Sequence, residues 1–484
     1  MSSLCTHRWG YSVIDFGKNQ ARTCCRTKLN YETKEQFYKL GSDYFLNSDY
    51  QKERRLEMFQ GIKHESCETC WILEDKGIQS PRKYGVPVGY KFENNVITNK
   101  ATGETTHVDE LTVDHPILTS NKPYMIEVNL SNHCDMSCLY CSPFFSSTWA
   151  NKNTDAWASQ INPDWNMKIG DSEHKKLQQT VNDKNSEEFN ESFWKWFHTI
   201  FEGQNELRIG LLGGEPVNNP RLPDFIDRLC DIIESIPIEN RPSSGYWDSK
   251  NNKNKHPNKP LLWFVTNGNT RESHFKKFID RLPRLCKLFT VEISLSMESY
   301  KERAEYIRMN LVWDRFESNV RKYLELDLPS LQVGFQTSIN NLCVTSMPDF
   351  AKWCVELYDT YKKPLFLKPN VVNDPAHYKV TMLPTKYNQY LDQTCNILQT
   401  RNPEGINDEY GTWTKYIDFL KTIKCEQSGT PDEYERLKVF LNKMDIRRNL
   451  ECRDVFPEMT EFWNIVQGIS AEEWKQLQEM GYDG

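Results

Sequence analysis

Between residues 121 and 385 the chain alternates strand-like and helix-like runs, and that alternation limits its fold more than any other feature. The apolar, β-branched runs are Tyr124–Leu130, Glu206–Leu212, Leu261–Thr266, Thr290–Ser296, Gln332–Ile339 and Leu365–Val371. Segments between them, such as Leu222–Ser235, His274–Arg281, Trp313–Leu326 and Met347–Tyr358, carry apolar residues at helical spacing. Strands alternating with helices imply an α/β fold with a parallel sheet closed or partly closed by crossover helices. Six such units predict a partial (β/α)6 barrel, short of the eight-unit closed form. Folds of this type bind ligands at the carboxyl ends of their strands.

The rest of the chain divides around this core. Residues 1–85 read as a small cysteine-rich module: a strand over Tyr11–Phe16, a turn, and a second strand delivering Cys24 and Cys25. A helix over Ser48–Gln60 follows, ended by Gly61. Residues 86–120 read as a hairpin connector, with strands over Tyr90–Ile97 and Thr105–Val113 around the turn Asn99–Gly103. Residues 386–484 read as a helical extension, with Trp413, Tyr416, Phe419 and Leu420 on one face. Two polar insertions, 152–187 and 237–260, read as a flap and a surface loop. The net charge of −7 argues against extended electrostatic binding to nucleic acid or an anionic membrane. No apolar run approaches the ~20 residues of a membrane span, and the N-terminus lacks the apolar stretch of a signal peptide, so a cytoplasmic location is expected.

Fifteen cysteines are unevenly placed, and seven sit in short-range groups: Cys24/Cys25, Cys67/Cys70 and Cys134/Cys138/Cys141. In a chain of this size without a signal peptide, such spacing favours metal over disulfides. The C-x3-C-x2-C triplet directly follows the first core strand. Three ligands is an odd count, because structural zinc sites and ordinary iron–sulfur clusters take four. The triplet therefore suggests a metal centre with one position open to a substrate or cofactor. Cys5, Cys24, Cys25, Cys67 and Cys70 supply enough thiolates for a separate closed site, and four-cysteine sites suit zinc as well as iron and sulfide. The scattered Cys230, Cys286, Cys343, Cys354, Cys395, Cys425 and Cys452 read as buried small apolar residues. His133 reads as a loop residue rather than a ligand.

The triplet after the first strand resembles the signature of the radical S-adenosylmethionine (SAM) superfamily. Leu211-Leu-Gly213-Gly214-Glu215-Pro216, one strand later, is similar to that family's G-G-E-P motif, and Thr266-Asn267-Gly268 to its T-N-G turn. The resemblance implies a TIM-like partial barrel in which Cys134, Cys138 and Cys141 bind three irons of a [4Fe–4S] cluster. The fourth iron then takes SAM, and reductive cleavage yields a 5′-deoxyadenosyl radical. It further implies that Gly213, Gly214 and Glu215 contact the SAM amino group, that Ser294 meets the ribose, and that Arg308 of Tyr306-Ile-Arg308 meets the carboxylate. Where the family often has S-x-D-G, this chain has Ser294-Leu-Ser296-Met297, and Glu298 either stands in for that carboxylate or, the preferred reading, is a solvated helix start. Tyr140 is expected either to shield the cluster or simply to pack in the core. Lys368 at the end of the sixth strand is a candidate to face the substrate.

The N-terminal cysteines resemble the auxiliary-cluster modules called SPASM or twitch domains, although those commonly follow the barrel. The run Cys67-x2-Cys70-x3-Glu74-x2-Gly77-x2-Ser80-x-Arg82 carries that likeness. It implies a second [4Fe–4S] cluster on Cys5, Cys67, Cys70 and one of Cys24 or Cys25, with zinc as the alternative. Members of these groups modify peptides or proteins by oxidation or crosslinking. The resemblance thus implies an oxidoreductase-like enzyme with a peptide or protein substrate and an electron donor such as a flavodoxin or ferredoxin. The alternatives are a small-molecule or RNA substrate, or a non-catalytic iron–sulfur or zinc protein. Asp445-x-x-Arg448 and Phe456-Pro-Glu458 also occur in the resembled group, and no chemistry is assigned to them.

Overall fold

The computed structural model describes residues 3–17, 20–25, 46–75, 80, 82–87, 89–120, 122–142, 145–149, 184–201, 205–245, 247–248, 253–254, 256–401 and 413–468. Nearly all of the predicted flap, 152–187, lies outside them; its last residues begin the helix Lys184–Ile200.

One sheet organises the molecule. Its strands are β1 (Tyr11–Asp15), β2 (Gln20–Thr23), β3 (Met125–Asn129), β4 (Arg208–Leu212), β5 (Leu261–Thr266), β6 (Thr290–Ser296), β7 (Leu331–Ile339) and β8 (Leu365–Val371). They lie in the order β8-β7-β6-β5-β4-β3-β1-β2. Every neighbouring pair is parallel except the hairpin β1–β2. The six core strands expected from the sequence are all present, and the sheet is open, edged by β8 and β2.

The sequence places β1 and β2 in a module of their own. In the structure β1 pairs with β3 from Tyr11↔Met125 to Asp15↔Asn129, and Phe16 N–H continues the ladder to the Asn129 carbonyl at 2.8 Å. β3 is therefore an interior strand.

From β3 to β8 each strand is added beside its predecessor, always in the same direction. Right-handed crossovers then place the helices on one side of the sheet. The side chains obey this asymmetry. Ile126, Val128, Ile209, Leu211, Leu262, Phe264, Val291, Ile293, Leu295, Val333, Phe335, Leu365 and Leu367 are buried in the apolar core. That core is completed by helices including Leu222–Ser235, Trp313–Glu325 and Met347–Tyr361. The alternate positions, read from the register, are mixed: Met125, Leu212, Leu261, Trp263, Val265 and Phe366 share that face with the polar Glu127, Asn129, Glu292, Ser294, Ser296, Gln332, Gln336 and Lys368. Several of these are only half-buried. Parallel sheets ordinarily carry apolar side chains on both faces, and this run of polar residues departs from that pattern. Trp263 lies across Gly210, where a Cβ would stand 2.2 Å from the indole ring.

Two expectations need correction. The connector turns first at Asn94-Asn95, with φ of 51° and 61°, so Tyr90–Glu93 and Val96–Asn99 are separate strands. Two consecutive positive-φ positions define the tight hairpin turn that asparagine tolerates. The predicted strand over Thr105–Val113 stops at His107, and Val108–Glu110 forms a 3-10 turn. In the helical extension, Trp413, Tyr416 and Leu420 are buried as expected, and the Trp413 indole N–H donates to the Leu365 carbonyl at 2.8 Å.

The N-terminal segment is held by a fully buried guanidinium. Arg55, on the helix Asp49–Phe59, donates to the carbonyls of Leu46 (2.5 Å), Leu118 (2.6 Å) and Arg8 (3.0 Å). Three chain segments thus share one cation. Arg55→Leu is expected to orphan these carbonyls and cost on the order of 3 kcal/mol, read as a lower urea midpoint. Arg55→Lys should recover part of the loss.

Candidate metal centre

The chain leaves β3 at the carboxyl edge of the sheet and enters the cysteine loop. A short antiparallel ribbon fixes its middle: Cys138 pairs with Arg308 and Ser137 with Met309, and Leu139 N–H donates to the Ile307 carbonyl at 2.9 Å. The run Ser146–Trp149 fixes its ends. Ser146 Oγ donates to the Met136 carbonyl (2.6 Å), Thr148 Oγ1 to the Cys134 carbonyl (2.6 Å) and the Trp149 indole to the Cys138 carbonyl (3.0 Å). Sequence reasoning missed this clamp. Its signal was three consecutive hydroxyl residues before a tryptophan, close behind the cysteines.

The Gly-Gly-Glu-Pro turn after β4 packs directly on the loop. Gly213 and Gly214 have φ of 81° and 55°. A Cβ on Gly214 would stand 2.3 Å from the His133 carbonyl oxygen, so only glycine fits. Glu215 N–H donates to that same oxygen at 2.6 Å, while the His133 side chain itself is exposed. The buried Glu215 carboxylate accepts from Val217 N–H (3.0 Å), Thr266 Oγ1 (2.7 Å) and Asn267 N–H (2.5 Å). Burial pushes its pKa up to about 7, against these hydrogen bonds. Glu215 thus joins two strand ends. Asn267 also reaches the loop: its Nδ2 lies 2.9 Å from Asp135 Oδ1 and 4.0 Å from Cys134 Sγ.

Arg308 and Glu298 form the charged element of the site. Both are buried, with Arg308 Nη2 at 2.5 Å and Nε at 3.1 Å from the carboxylate oxygens. Arg308 Nη1 faces Cys138 Sγ at 3.7 Å, and Tyr140 Oη donates to Glu298 Oε1 at 3.0 Å. The reading of Glu298 as a solvated helix start is therefore wrong. It sits just past the end of β6, where Arg308 has no counter-charge but this carboxylate in hydrogen-bonding reach among the described residues. Tyr140, within the cysteine loop, packs against the apolar core, as one of its two expected roles has it.

Ser294 is fully buried on the mixed face, its Oγ 3.2 Å from Glu292 Oε1 and 3.5 Å from Lys368 Nζ. Lys368 also forms an ion pair with Glu292. Ser294, Glu292 and Lys368 make one polar cluster.

The three central thiols are half-buried, and burial pushes all of them up, Cys141 to about 12. Cys138 raises both of its partners, whereas Arg308 pulls Cys138 back toward ionisation. Among the described residues, no three His, Cys, Asp or Glu side chains are grouped closely enough for one metal ion. A cluster requires a different spacing, since each thiolate binds its own iron and the sulfurs stand farther apart than the ligands of a single ion. Three thiols on one clamped loop, with N–H donors aimed at two of them, fit that donor set in kind.

At the N-terminus, Cys5 is buried and its thiol pushed up, in part by the nearby Cys67. Cys70 is buried, Cys67 and Cys24 are half-buried, and Cys25 is exposed. Cys25 and Glu127 each lie within hydrogen-bonding reach of the Tyr11 hydroxyl. Glu74 and Arg82, from the run after Cys70, form a buried ion pair at 3.1 Å, and Arg82 stacks 3.9 Å from the Trp71 ring centroid. All seven scattered cysteines are buried, as expected.

No family model matches the chain, and no curated protein is similar to it. Among solved structures, the crystal structure of Streptococcus suis SuiB aligns over 66% of this chain and 71% of its own, with 11% identity and a TM-score of 0.27. A likeness of that extent carries no argument about fold or activity.

Three variants test this geometry. Gly214→Ala is expected to push the turn off the cysteine loop and destabilise the chain by about 2 kcal/mol or more, read by chemical denaturation. Glu298→Ala is expected to cost about 3–5 kcal/mol by leaving a buried guanidinium unpaired, whereas Glu298→Leu combined with Arg308→Met should recover most of it.

Proposed function

We propose that the chain is a radical SAM enzyme, its open sheet a partial barrel and Cys134, Cys138 and Cys141 the ligands of a [4Fe–4S] cluster. The observation that carries the reading is the packing of two turns on one another. The Gly213–Gly214 turn lies on the start of the cysteine loop, at the carboxyl edge of the sheet. Such a cluster supplies one low-potential electron to the SAM sulfonium.

The chain's own residues prepare that chemistry. Arg308 and Asn267 place N–H donors near Cys138 and Cys134, which favours the thiolate form that ligation requires. Glu298 balances the Arg308 charge, so the guanidinium adds little net charge to the loop. Gly213 and Gly214 let the turn pack on Asn129 and His133, and the proposed contact with the SAM amino group falls on the backbone of Gly213–Glu215. Ser294, Glu292 and Lys368 offer hydroxyl, acceptor and donor on the mixed face, while Trp263 offers an apolar surface. The substrate proposed for that face is a peptide or protein side chain, oxidised or crosslinked. A second cluster on Cys5, Cys67, Cys70 and one of Cys24 or Cys25 completes the proposal.

The test is anaerobic reconstitution with iron and sulfide, then dithionite and SAM. Release of 5′-deoxyadenosine is expected, falling to background in a Cys134/Cys138/Cys141→Ala variant. A loaded protein that releases none overturns the enzymatic reading. The triple variant should still hold iron and sulfide at its N-terminal thiols; zinc there without iron overturns the second cluster alone.

A further inference from the structure

Asp445, Arg448 and Glu458 belong to motifs that the proposed chemistry leaves unused. The structure places them around the segment that carries Arg308. Asp445 is buried near the end of the helix Pro431–Arg448, and the left-handed Asn449 (φ 51°) closes that helix. Tyr306 Oη donates to Asp445 Oδ1 at 2.6 Å, and Cys452 N–H donates to Oδ2 at 2.8 Å. One turn on, Arg448 donates to the carbonyls of Tyr306 (2.8 Å) and Glu305 (3.0 Å), with its guanidinium 4.7 Å from the Tyr306 ring centroid. Those carbonyls end the helix Lys301–Ile307, where no intrahelical N–H remains to satisfy them. A cation suits the negative end of a helix. Phe456 packs edge-on against Tyr306 at 5.4 Å, and Glu458 pairs with Arg303 on the same helix at 2.9 Å.

What this helix holds gives the grip its consequence. Its next carbonyl, of Ile307, accepts from Leu139 N–H, and the next residue, Arg308, pairs with Cys138. No residue of the C-terminal helices is among the loop contacts described above, yet they hold both the side chain and the carbonyl of Tyr306, two residues before the ribbon. We propose that Asp445 and Arg448 are positioning residues for the cysteine loop, acting through Tyr306 and Arg308 on Cys138 and Cys141. Cys134, at the other end of the loop, is held separately by Ser147 and Thr148. The inference concerns the loop itself and does not depend on what the thiols bind.

The measurement is the rate at which each cysteine is alkylated in full-length, chelator-treated protein, resolved by peptide mass spectrometry. Arg448→Ala and the milder Tyr306→Phe are each expected to speed labelling of Cys138 and Cys141 about tenfold, the effect of losing one or two buried hydrogen bonds on a local opening. Cys134 should stay near the parent rate, as should Cys230 and Cys354, which are buried elsewhere in the core. Arg448→Lys, which keeps a cation and donors for the carbonyls, should return Cys138 and Cys141 close to the parent. Unchanged rates at Cys138 and Cys141 in a folded Tyr306→Phe protein would overturn the proposal. An equal rise at Cys230 and Cys354 would overturn it too, because it would show general loosening rather than control of the ribbon.

Discussion

The one-way winding of the sheet is the constraint on which everything else rests. A strand order that advances by single steps, joined by right-handed crossovers, can cover only one face with helices. The covered face must be apolar, and the other is free to be polar. The same winding brings the carboxyl ends of β3, β4, β5 and β6 side by side along one edge. Four turns that are far apart in sequence therefore become neighbours: the cysteine loop, Gly213–Pro216, Thr266–Gly268 and the residues leading to Glu298. Glu215 makes the adjacency physical, since one carboxylate accepts from the ends of β4 and β5.

Within that edge the Arg308–Glu298 pair is notable for its placement rather than for any contribution to stability. Burying two charges costs several kcal/mol per ion, and a well-packed apolar pair often does as well. What an apolar pair cannot do is present an N–H to Cys138 Sγ while its partner accepts from Tyr140. The pair's persistence in the interior is better understood as orientation of the cysteine loop, with the C-terminal helices bracing the same segment from behind.

Much of this was legible in the sequence. The six core strands were readable because each is a short, β-branched or apolar run bounded by turn residues. The cysteine triplet was readable because its spacing is local. The pairing of β1 with β3 was hidden, since nothing in Tyr11–Asp15 records a partner more than a hundred residues away. Glu298 was misjudged for the same reason. A glutamate before a helix looks solvated until a buried arginine from the next segment is placed against it. The Ser146–Trp149 clamp and the Asp445–Arg448 grip bond mostly to backbone carbonyls, which carry no signature in the partner's sequence.

The geometry of β1 and β2 also bears on the odd ligand count. β2 runs antiparallel to β1, so Thr23 stands opposite Ser12 and the following Cys24 and Cys25 fall beside Tyr11, at the amino end of β3. The triplet follows the opposite end of β3. The segments that carry the two sets thus leave the sheet at opposite ends of a strand on the order of 13 Å long. Cys5 precedes Tyr11 by one helical turn and is close to Cys67, so it belongs with the far set. The N-terminal thiols and the triplet thus enter from opposite ends of one strand, as two sets rather than one. At the carboxyl edge it is not a fourth thiol but Arg308 and Asn267 that turn N–H donors toward Cys138 and Cys134.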